Sequence, residues 1–409
     1  MAHKQEEREY DVLVWGATGF TGRLVAQYMA GRAKAAGLRW AVGGRSAARL
    51  AEVKRGLEAT HGELDEVGVV TGDSTNAADM EAVARTTRAV ISTVGPFTKY
   101  GTALVAACVK VGTHYADITG EAPWVRSLID KYHAEAKEKG VCIVPMSGFD
   151  SIPADIGTFM LADYVAKARL PWAHVPFVAM QKYGAQLGAV EALVRLNGGL
   201  SGGTAASMME MASQGSGGGN TRTWTNFFIM ALVNTRVVRR SNALLGDAYG
   251  PNFHYNEYAK AKGLLMAILF TVALFIFGIM LRVRFTREHV LKKLLPAPGE
   301  GPSEEKRAKS NFRYELYGQV DYSKSEEQAE GRPKMVKAVV SGRDPGYTET
   351  AVMLSEVGIA LAELSSRGEL PVNPAVGSGG ILTPASALGS QLVQRLQAAG
   401  LKLHVEDLH

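Results

Sequence analysis

The chain has 409 residues, 46% of them hydrophobic and 21% charged, and a formal net charge of +5; this is enough apolar material for two or three packed domains and excludes a disordered chain. Lys and Arg form no long run interleaved with aromatics, which excludes the usual nucleic-acid-binding surface. The only cysteines, Cys108 and Cys142, stand in apolar stretches without a C-x-x-C pair, which excludes a zinc site and fits a reducing compartment.

Met1–Tyr10 is polar, so a cleaved secretion signal is not expected. The first apolar run, Val12–Trp15, passes directly into Gly16-Ala17-Thr18-Gly19-Phe20-Thr21-Gly22 and then into the helix-compatible stretch Arg23–Ala36. Strand, glycine turn and helix without a spacer are the context in which such a turn binds a dinucleotide. Gly16 and Gly19 allow pyrophosphate to approach backbone N–H groups, and Gly22 lets the helix lie against the strand. The phosphates would sit at the helix N-terminus, so Thr18, Phe20 and Thr21 join the cofactor-binding set. The spacing is G-x-x-G-x-x-G, and an ordinary glycine turn is the alternative.

Arg39–Gly44 reads as a second strand ending at Arg45-Ser46. An acidic residue there would hydrogen-bond the ribose 2′-hydroxyl of NAD, whereas Arg beside Ser suits a 2′-phosphate, so Arg45 and Ser46 point to NADP. The alternative is a surface arginine opening the helix Ala47–Ala59. Val67–Val70 is a third strand ending at Gly72-Asp73-Ser74; Asp73 and Ser74 lie toward the adenine, or Asp73 caps the helix Asn76–Arg85. Ala89–Val94 is a fourth strand, followed by Gly95-Pro96-Phe97 and Tyr100-Gly101. In a doubly wound sheet its carboxyl end overhangs the nicotinamide side of the crevice. Thr93, Val94, Gly95 and Pro96 are therefore cofactor candidates, and Tyr100 is the first catalytic candidate. A tyrosine anchoring the helix Thr102–Val111 is the other reading. Two further short strands, His114–Asp117 and Val141–Val144, end on the same edge. Asp117, Glu121 and Asp150 could serve acid–base chemistry or substrate positioning, although Asp150 and Asp155 also flank a helix start as caps.

From about Leu161 the pattern changes. His174–Tyr183, Asn311–Val320 and Lys334–Ser341 show partial period-two alternation and predict an antiparallel or mixed sheet. Between the first two lie Gly198–Ala212 and the glycine-rich loop Ser213–Asn220. Ser201-Gly202-Gly203-Thr204 reads as a helix cap whose N–H groups could also bind a carboxylate or thioester oxygen. Leu264–Leu281 is 18 residues without a charge, the length at which a membrane-spanning helix first becomes possible. Basic residues flank it: Lys260 and Lys262 before, Arg282, Arg284, Arg287, Lys292 and Lys293 after. Insertion into one leaflet of a membrane or a lipid droplet, a lipid-tunnel wall or oligomer interface, and a true span are the three readings. Leu295–Lys309 reads as an exposed loop, Asp344-Pro345-Gly346-Tyr347 as a turn before a helix Thr348–Ser366, and Pro384–Ala399 as a final helix.

In order, Gly16–Gly22, Gly43-Gly44-Arg45, Val94-Gly95-Pro96-Phe97 with Tyr100-Gly101, Tyr115–Glu121 and Gly148–Asp155 resemble the motifs of the saccharopine dehydrogenase-like oxidoreductases, which include the bacterial trans-acting enoyl reductases. Ser201–Thr204, Gly346–Ala351 and Gly379–Ala385 continue the resemblance over nearly the whole chain. It implies an α/β protein: an N-terminal Rossmann-type doubly wound parallel sheet with NADP as cofactor, and a second α+β domain on a mixed or antiparallel sheet. The expected division is 1–150 for cofactor, 151–370 for substrate and dimerisation with the apolar insertion 262–284, and 371–409 packing back on the first domain. The extended short-chain dehydrogenases share the first glycine spacing, but their Tyr-x-x-x-Lys signature occurs here only at Tyr258–Lys262, far down the chain, without the usual upstream serine, and reads as chance.

The expected activity is NADPH-dependent reduction of a carbon–carbon double bond in a lipid-like substrate, with Tyr100, then Tyr347, as proton donor and Asp150 as a further catalytic candidate. No metal is expected. A homodimer at an intracellular membrane or lipid droplet, with its catalytic domains facing the cytosol, is the expected setting. A saccharopine-type amino-acid dehydrogenase and a non-catalytic NADP-binding membrane adaptor are the rivals.

Overall fold

The structure is a computed structural model and describes residues 8–62, 64, 67–167, 185–197, 224–261, 263–265, 268, 301–323, 333–370 and 373–408. The chain forms two units, Met1–Ile152 with Tyr347–Ala399, and Pro153–Gly346 with Gly400–His409.

The first unit begins with β1 (Tyr10–Trp15), α1 (Phe20–Ala36), β2 (Trp40–Gly44), α2 (Ala47–His61), β3 (Gly68–Thr71), α3 (Ala77–Arg85) and β4 (Thr87–Ser92). A one-turn helix α4 (Phe97–Tyr100), α5 (Thr102–Val111), β5 (His114–Asp117), α6 (Ala122–Glu138) and β6 (Cys142–Val144) follow. The chain passes into the second unit through α7 (Ile152–Lys167). Its described elements are β7 (Gln186–Asn197), β8 (Thr225–Phe227), α8 (Ala231–Leu244), β9 (His254–Lys260), α9 (Glu304–Ala308), β10 (Asn311–Asp321) and β11 (Met335–Gly342). A π-type turn, Pro345–Glu349, leads back to α10 (Thr350–Arg367), β12 (Gly380–Ile381) and α11 (Pro384–Ala398), and β13 (Lys402–Leu408) ends the described chain.

The first sheet has the order β12-β6-β5-β4-β1-β2-β3, with every pairing parallel. Its central strands are apolar and buried along almost their whole length, as parallel strands covered on both faces require. The strand order reverses between β1 and β4, which opens a crevice at their carboxyl ends. Helix α10 covers β1, β4 and β5. Gly358 allows this, since a Cβ there would lie 2.3 Å from Ile91 Cγ2. A buried carboxylate ties α10 to its neighbours: Glu356 accepts from the Tyr28 hydroxyl (2.7 Å), Arg32 (2.8 Å) and Arg395 (3.2 Å). Three donors on one carboxylate meet the cost of burying its charge.

The second sheet, β13-β11-β10-β7-β9-β8, is mixed: β7 and β9 are parallel and the other pairs antiparallel. Its core holds a second buried carboxylate, Glu257, which accepts from Tyr314 (2.9 Å), Asn234 (3.1 Å) and Tyr255 (3.2 Å).

Several expectations change. The return to the first unit falls at Tyr347 instead of after residue 370, because α10 is apolar nearly all round and is buried in the parallel-sheet core. The tail expected to pack whole on the first domain divides: α11 packs on α10, whereas β13 pairs with β11 in the second sheet. The expected loop Leu295–Lys309 contains α9, begun by Ser303 Oγ accepting the Lys306 N–H (3.4 Å). The expected strand His174–Tyr183, the segments Gly198–Ala212 and Ser213–Asn220 with Ser201–Thr204, and most of Leu264–Leu281 lie outside the described residues.

Candidate functional site: a dinucleotide crevice

The turn after β1 is closed by its own backbone. Gly16 has φ +94°, and a Cβ on it would lie 2.6 Å from Val94 Cγ2 and 2.8 Å from Thr93 Oγ1; one on Gly22 would lie 2.1 Å from the Gly16 carbonyl oxygen. The Thr93 N–H donates to Trp15 O (2.9 Å), and its hydroxyl reaches the Trp15 and Gly16 carbonyls (3.3 Å each). Thr93 and Val94 thus wall the turn from the end of β4, and both stay partly exposed.

At Gly19 the space is different. A Cβ there would meet only the Gly16 oxygen, at 3.4 Å. As N-cap of α1, Gly19 offers no side-chain acceptor, and the first turn, with Phe20, Thr21 and Gly22, contains no acidic residue. A 17-residue helix whose start carries neither a side-chain cap nor a negative charge fits a pyrophosphate.

The far side of β1 carries the adenosine-side candidates. Thr18 Oγ1 lies 4.0 Å from the position of a Cβ on Gly44, beside the end of β2. Arg45 is exposed just beyond β2, and Ser46 Oγ caps α2 by accepting the Arg49 N–H (3.4 Å). Asp73 does not cap α3. It closes its own turn, accepting the Thr75 N–H and hydroxyl (2.8 Å each); these bonds, and the charge of Arg45, hold its carboxyl below the usual range. The cap is Asn76, whose Oδ1 accepts from Ala78 (2.9 Å) and Asp79 (3.3 Å). Ser74 is buried and accepts the Trp15 indole N–H (3.1 Å), a core contact.

On the β4–β6 side the loops are held by carboxylates. Asp117, fully buried at the end of β5, accepts from the Tyr115 hydroxyl (2.8 Å), the Thr119 N–H (3.0 Å) and the Met146 N–H (3.2 Å), so it joins the loops after β5 and β6. Burial raises its pKa to about 7, against the lowering effect of those hydrogen bonds. Met146 has φ +60°, an unusual conformation for a side-chain-bearing residue. Glu121 reaches the other way: it accepts the Phe97 and Thr98 N–H groups (2.8 Å each) and the Thr98 hydroxyl, holding the start of α4 beyond Gly95-Pro96. Tyr100, half-buried, ends α4 with the Lys99 ammonium 4.9 Å from its ring centroid.

Of the other two catalytic candidates, Tyr347 packs on the start of α1, and Asp150 follows a residue that bonds the start of α10. Tyr347 is buried and stands edge-on to Phe20, ring centroids 4.8 Å apart, at the first turn of α1. Asp150 is partly exposed on the turn before α7; desolvation raises its pKa to about 6. Its neighbour Phe149 donates its N–H to Thr350 Oγ1 (3.1 Å). Asp155 is a core residue of the second unit, accepting the Ser241 hydroxyl. The buried thiols of Cys108 and Cys142 have pKa values raised by desolvation, as core residues do. In the sequence Asp117 and Glu121 stand out only for acid–base chemistry or substrate positioning, and Thr350 only as part of the motif Gly346–Ala351; that all three hold loops by hydrogen bonds is decided by the fold.

Residues 12–144 match the family model described as the saccharopine dehydrogenase NADP binding domain. The chain is 34% identical to a protein of Mycobacterium tuberculosis provisionally named a trans-acting enoyl reductase, covering 98% of both chains. It is 33% identical to the trans-acting enoyl reductase of Mycobacterium ulcerans, covering 98% of this chain and 99% of that one. In fold it is similar to saccharopine dehydrogenase (L-Glu forming) from Saccharomyces cerevisiae, with a TM-score of 0.54 at 12% identity over 98% of this chain and 100% of that one. The chain belongs to the saccharopine dehydrogenase-like oxidoreductases and carries that family's NADP-binding domain.

Proposed function

We propose that the chain is an NADPH-dependent reductase of an activated carbon–carbon double bond in a lipid-like substrate. The observation that carries the cofactor half is the start of α1 at the β1/β4 reversal, free of side-chain caps and acids, with Arg45 exposed beyond β2. The names of the relatives support the enoyl-reductase form. Bound NADPH would supply a hydride from nicotinamide C4 to the β-carbon of the substrate. The chain's own part is to hold the pyrophosphate at Gly19–Gly22, to hold the 2′-phosphate at Arg45 and Ser46, and to donate a proton at the α-carbon. Tyr100 is the first donor and Tyr347 the second; Asp150, with a pKa near 6, is the alternative proton carrier. NADPH oxidation by purified protein with a series of enoyl thioesters tests this, and no turnover with any of them removes the enoyl-reductase form. Tyr100→Phe should lose turnover and keep NADPH affinity.

The proposal extends to a membrane or lipid-droplet surface contacted through Leu264–Leu281. Among the described residues no helix is long and apolar enough to cross a membrane. Support for contact is the exposure of large apolar residues at the end of β7, just before β8 and just after β9. Leu196 (44% exposed) pairs with buried Phe312 and Trp224 (54%) accepts through its carbonyl from the Ala261 N–H, while Leu264, Leu265 and Ile268, which follow Ala261 in the chain, are exposed. The basic residues that flank this stretch in sequence complement anionic headgroups. Flotation with anionic vesicles before and after Trp224→Ser with Leu265→Ser is the test; unchanged binding sinks this part.

A further inference from the structure

Glu121 occupies the N-cap position of the 17-residue helix α6, yet α6 receives no side-chain cap from it. Its carboxylate is used instead 24 residues upstream, where both oxygens accept the first backbone N–H groups of α4. The last turn of α4 runs on into α5 through Gly101, which is right-handed helical and donates its N–H to Phe97 O (2.7 Å), but the first amides of α4 have no partner within the helix. The start of this segment, at Pro96–Thr98, is therefore fixed from outside the helix, by charge-assisted hydrogen bonds to Glu121.

The imposing group is itself anchored in the core. The Glu121 N–H donates to Thr119 Oγ1 (3.0 Å), the Thr119 N–H donates to Asp117 Oδ1 (3.0 Å), and Asp117 is fully buried at the end of β5. Alternate residues of 117–121 thus form a relay of hydrogen bonds from the sheet to the loop that bears Tyr100. Packing backs it: the Phe97 and Trp124 rings lie 5.6 Å apart, and the Trp124 indole N–H donates to Thr102 Oγ1 (2.9 Å). In a doubly wound sheet the β4–β6 half faces the nicotinamide end of a dinucleotide, and the β1–β3 half its adenosine end.

We propose that Glu121 is a positioning residue that holds Pro96–Tyr100 as a preformed wall for the nicotinamide end of the cofactor, so that this carboxylate governs affinity for the whole dinucleotide and not for its adenosine half. This rests on the reading that the crevice binds NADPH. The test is titration of the full chain and its Glu121→Ala and Glu121→Gln variants with NADPH and with 2′-phospho-ADP-ribose, which lacks nicotinamide. Glu121→Ala should weaken NADPH about tenfold, ~1.4 kcal/mol, and leave 2′-phospho-ADP-ribose within about twofold. Glu121→Gln, which keeps one acceptor oxygen, should fall between Ala and the parent. Equal weakening of both ligands would show a merely structural residue and overturn the proposal, as would unchanged NADPH affinity. Failure of the unaltered chain to bind either ligand would instead remove the NADPH reading on which the proposal stands.

Discussion

On the β1–β3 side of the crevice the backbone makes the site; on the β4–β6 side, side chains reaching between loops make it. Gly16 and Gly22 close the first turn by removing atoms, and Ser46 and Asn76 cap the helices that they themselves precede. Every one of these contacts, apart from the Thr93 brace, is made within a few residues. Across the crevice, Asp117 spans 29 residues to Met146 and Glu121 spans 24 to Phe97. On the proposed reading, the half that would meet phosphates, whose chemistry is constant, is thus built from local rules. On the same reading, the half that would meet the reacting end depends on carboxylates shared between loops, which can be retuned one at a time.

The backbone-built half should break most completely. Gly22→Ala places a Cβ 2.1 Å from the Gly16 carbonyl oxygen, and it should abolish NADPH binding and cost roughly 3 kcal/mol of stability, read by titration and thermal melting. Next in size, Arg45→Ala should weaken NADPH by about tenfold to a hundredfold, the loss of a charge-assisted contact, while NADH affinity stays unchanged. Equal loss for both nucleotides would refute the 2′-phosphate assignment.

The carboxylate-built half should show itself through pH. Asp117 has a native pKa of about 7 against an ordinary value of 3.8. Between these values the native state holds a proton that the unfolded chain has released, so this group makes stability fall as pH rises toward about 7. Asp117→Asn keeps an acceptor for Thr119 and Met146 but cannot ionise. Its melting temperature should match the parent only near pH 3.5, where both states of the parent keep the proton, and should exceed it by a margin that grows as pH rises toward about 7, reaching a few degrees at pH 8. The difference between the two proteins isolates Asp117 from His114, whose pKa burial lowers to about 4. A difference constant with pH would contradict the assignment.

The smallest expected effect is at Gly19, where an added Cβ meets only one atom, at 3.4 Å. Gly19→Ala should change stability by less than about 0.5 kcal/mol and weaken NADPH severalfold by crowding the phosphates. That contrast with Gly22, three residues away, separates a glycine kept for packing from one kept for ligand approach.

The sequence by itself determined the dinucleotide turn, the six short strands from β1 to β6, the alternation that makes them parallel, and the family. Each is a short-range signal: a left-handed glycine, an apolar run, a cap residue one position before a helix. β7 escaped it because Gln186–Asn197 is rich in Ala, Leu, Glu and Arg, residues that favour helix, and only pairing with β9 and β10 makes it a strand. β9 looks polar because Glu257 points inward, which is tolerable only with Tyr314, Asn234 and Tyr255 folded around it. Only the tertiary structure decided that Thr350–Arg367 belongs to the first unit, with Glu356 meeting Tyr28 across 328 residues, and that Lys402–Leu408 joins the second sheet. It also decided that Asp117 and Glu121 hold loops. A carboxylate's neighbours in sequence fix its presence at a strand end, but its task depends on which donors the fold brings to it, and those donors are distant along the chain.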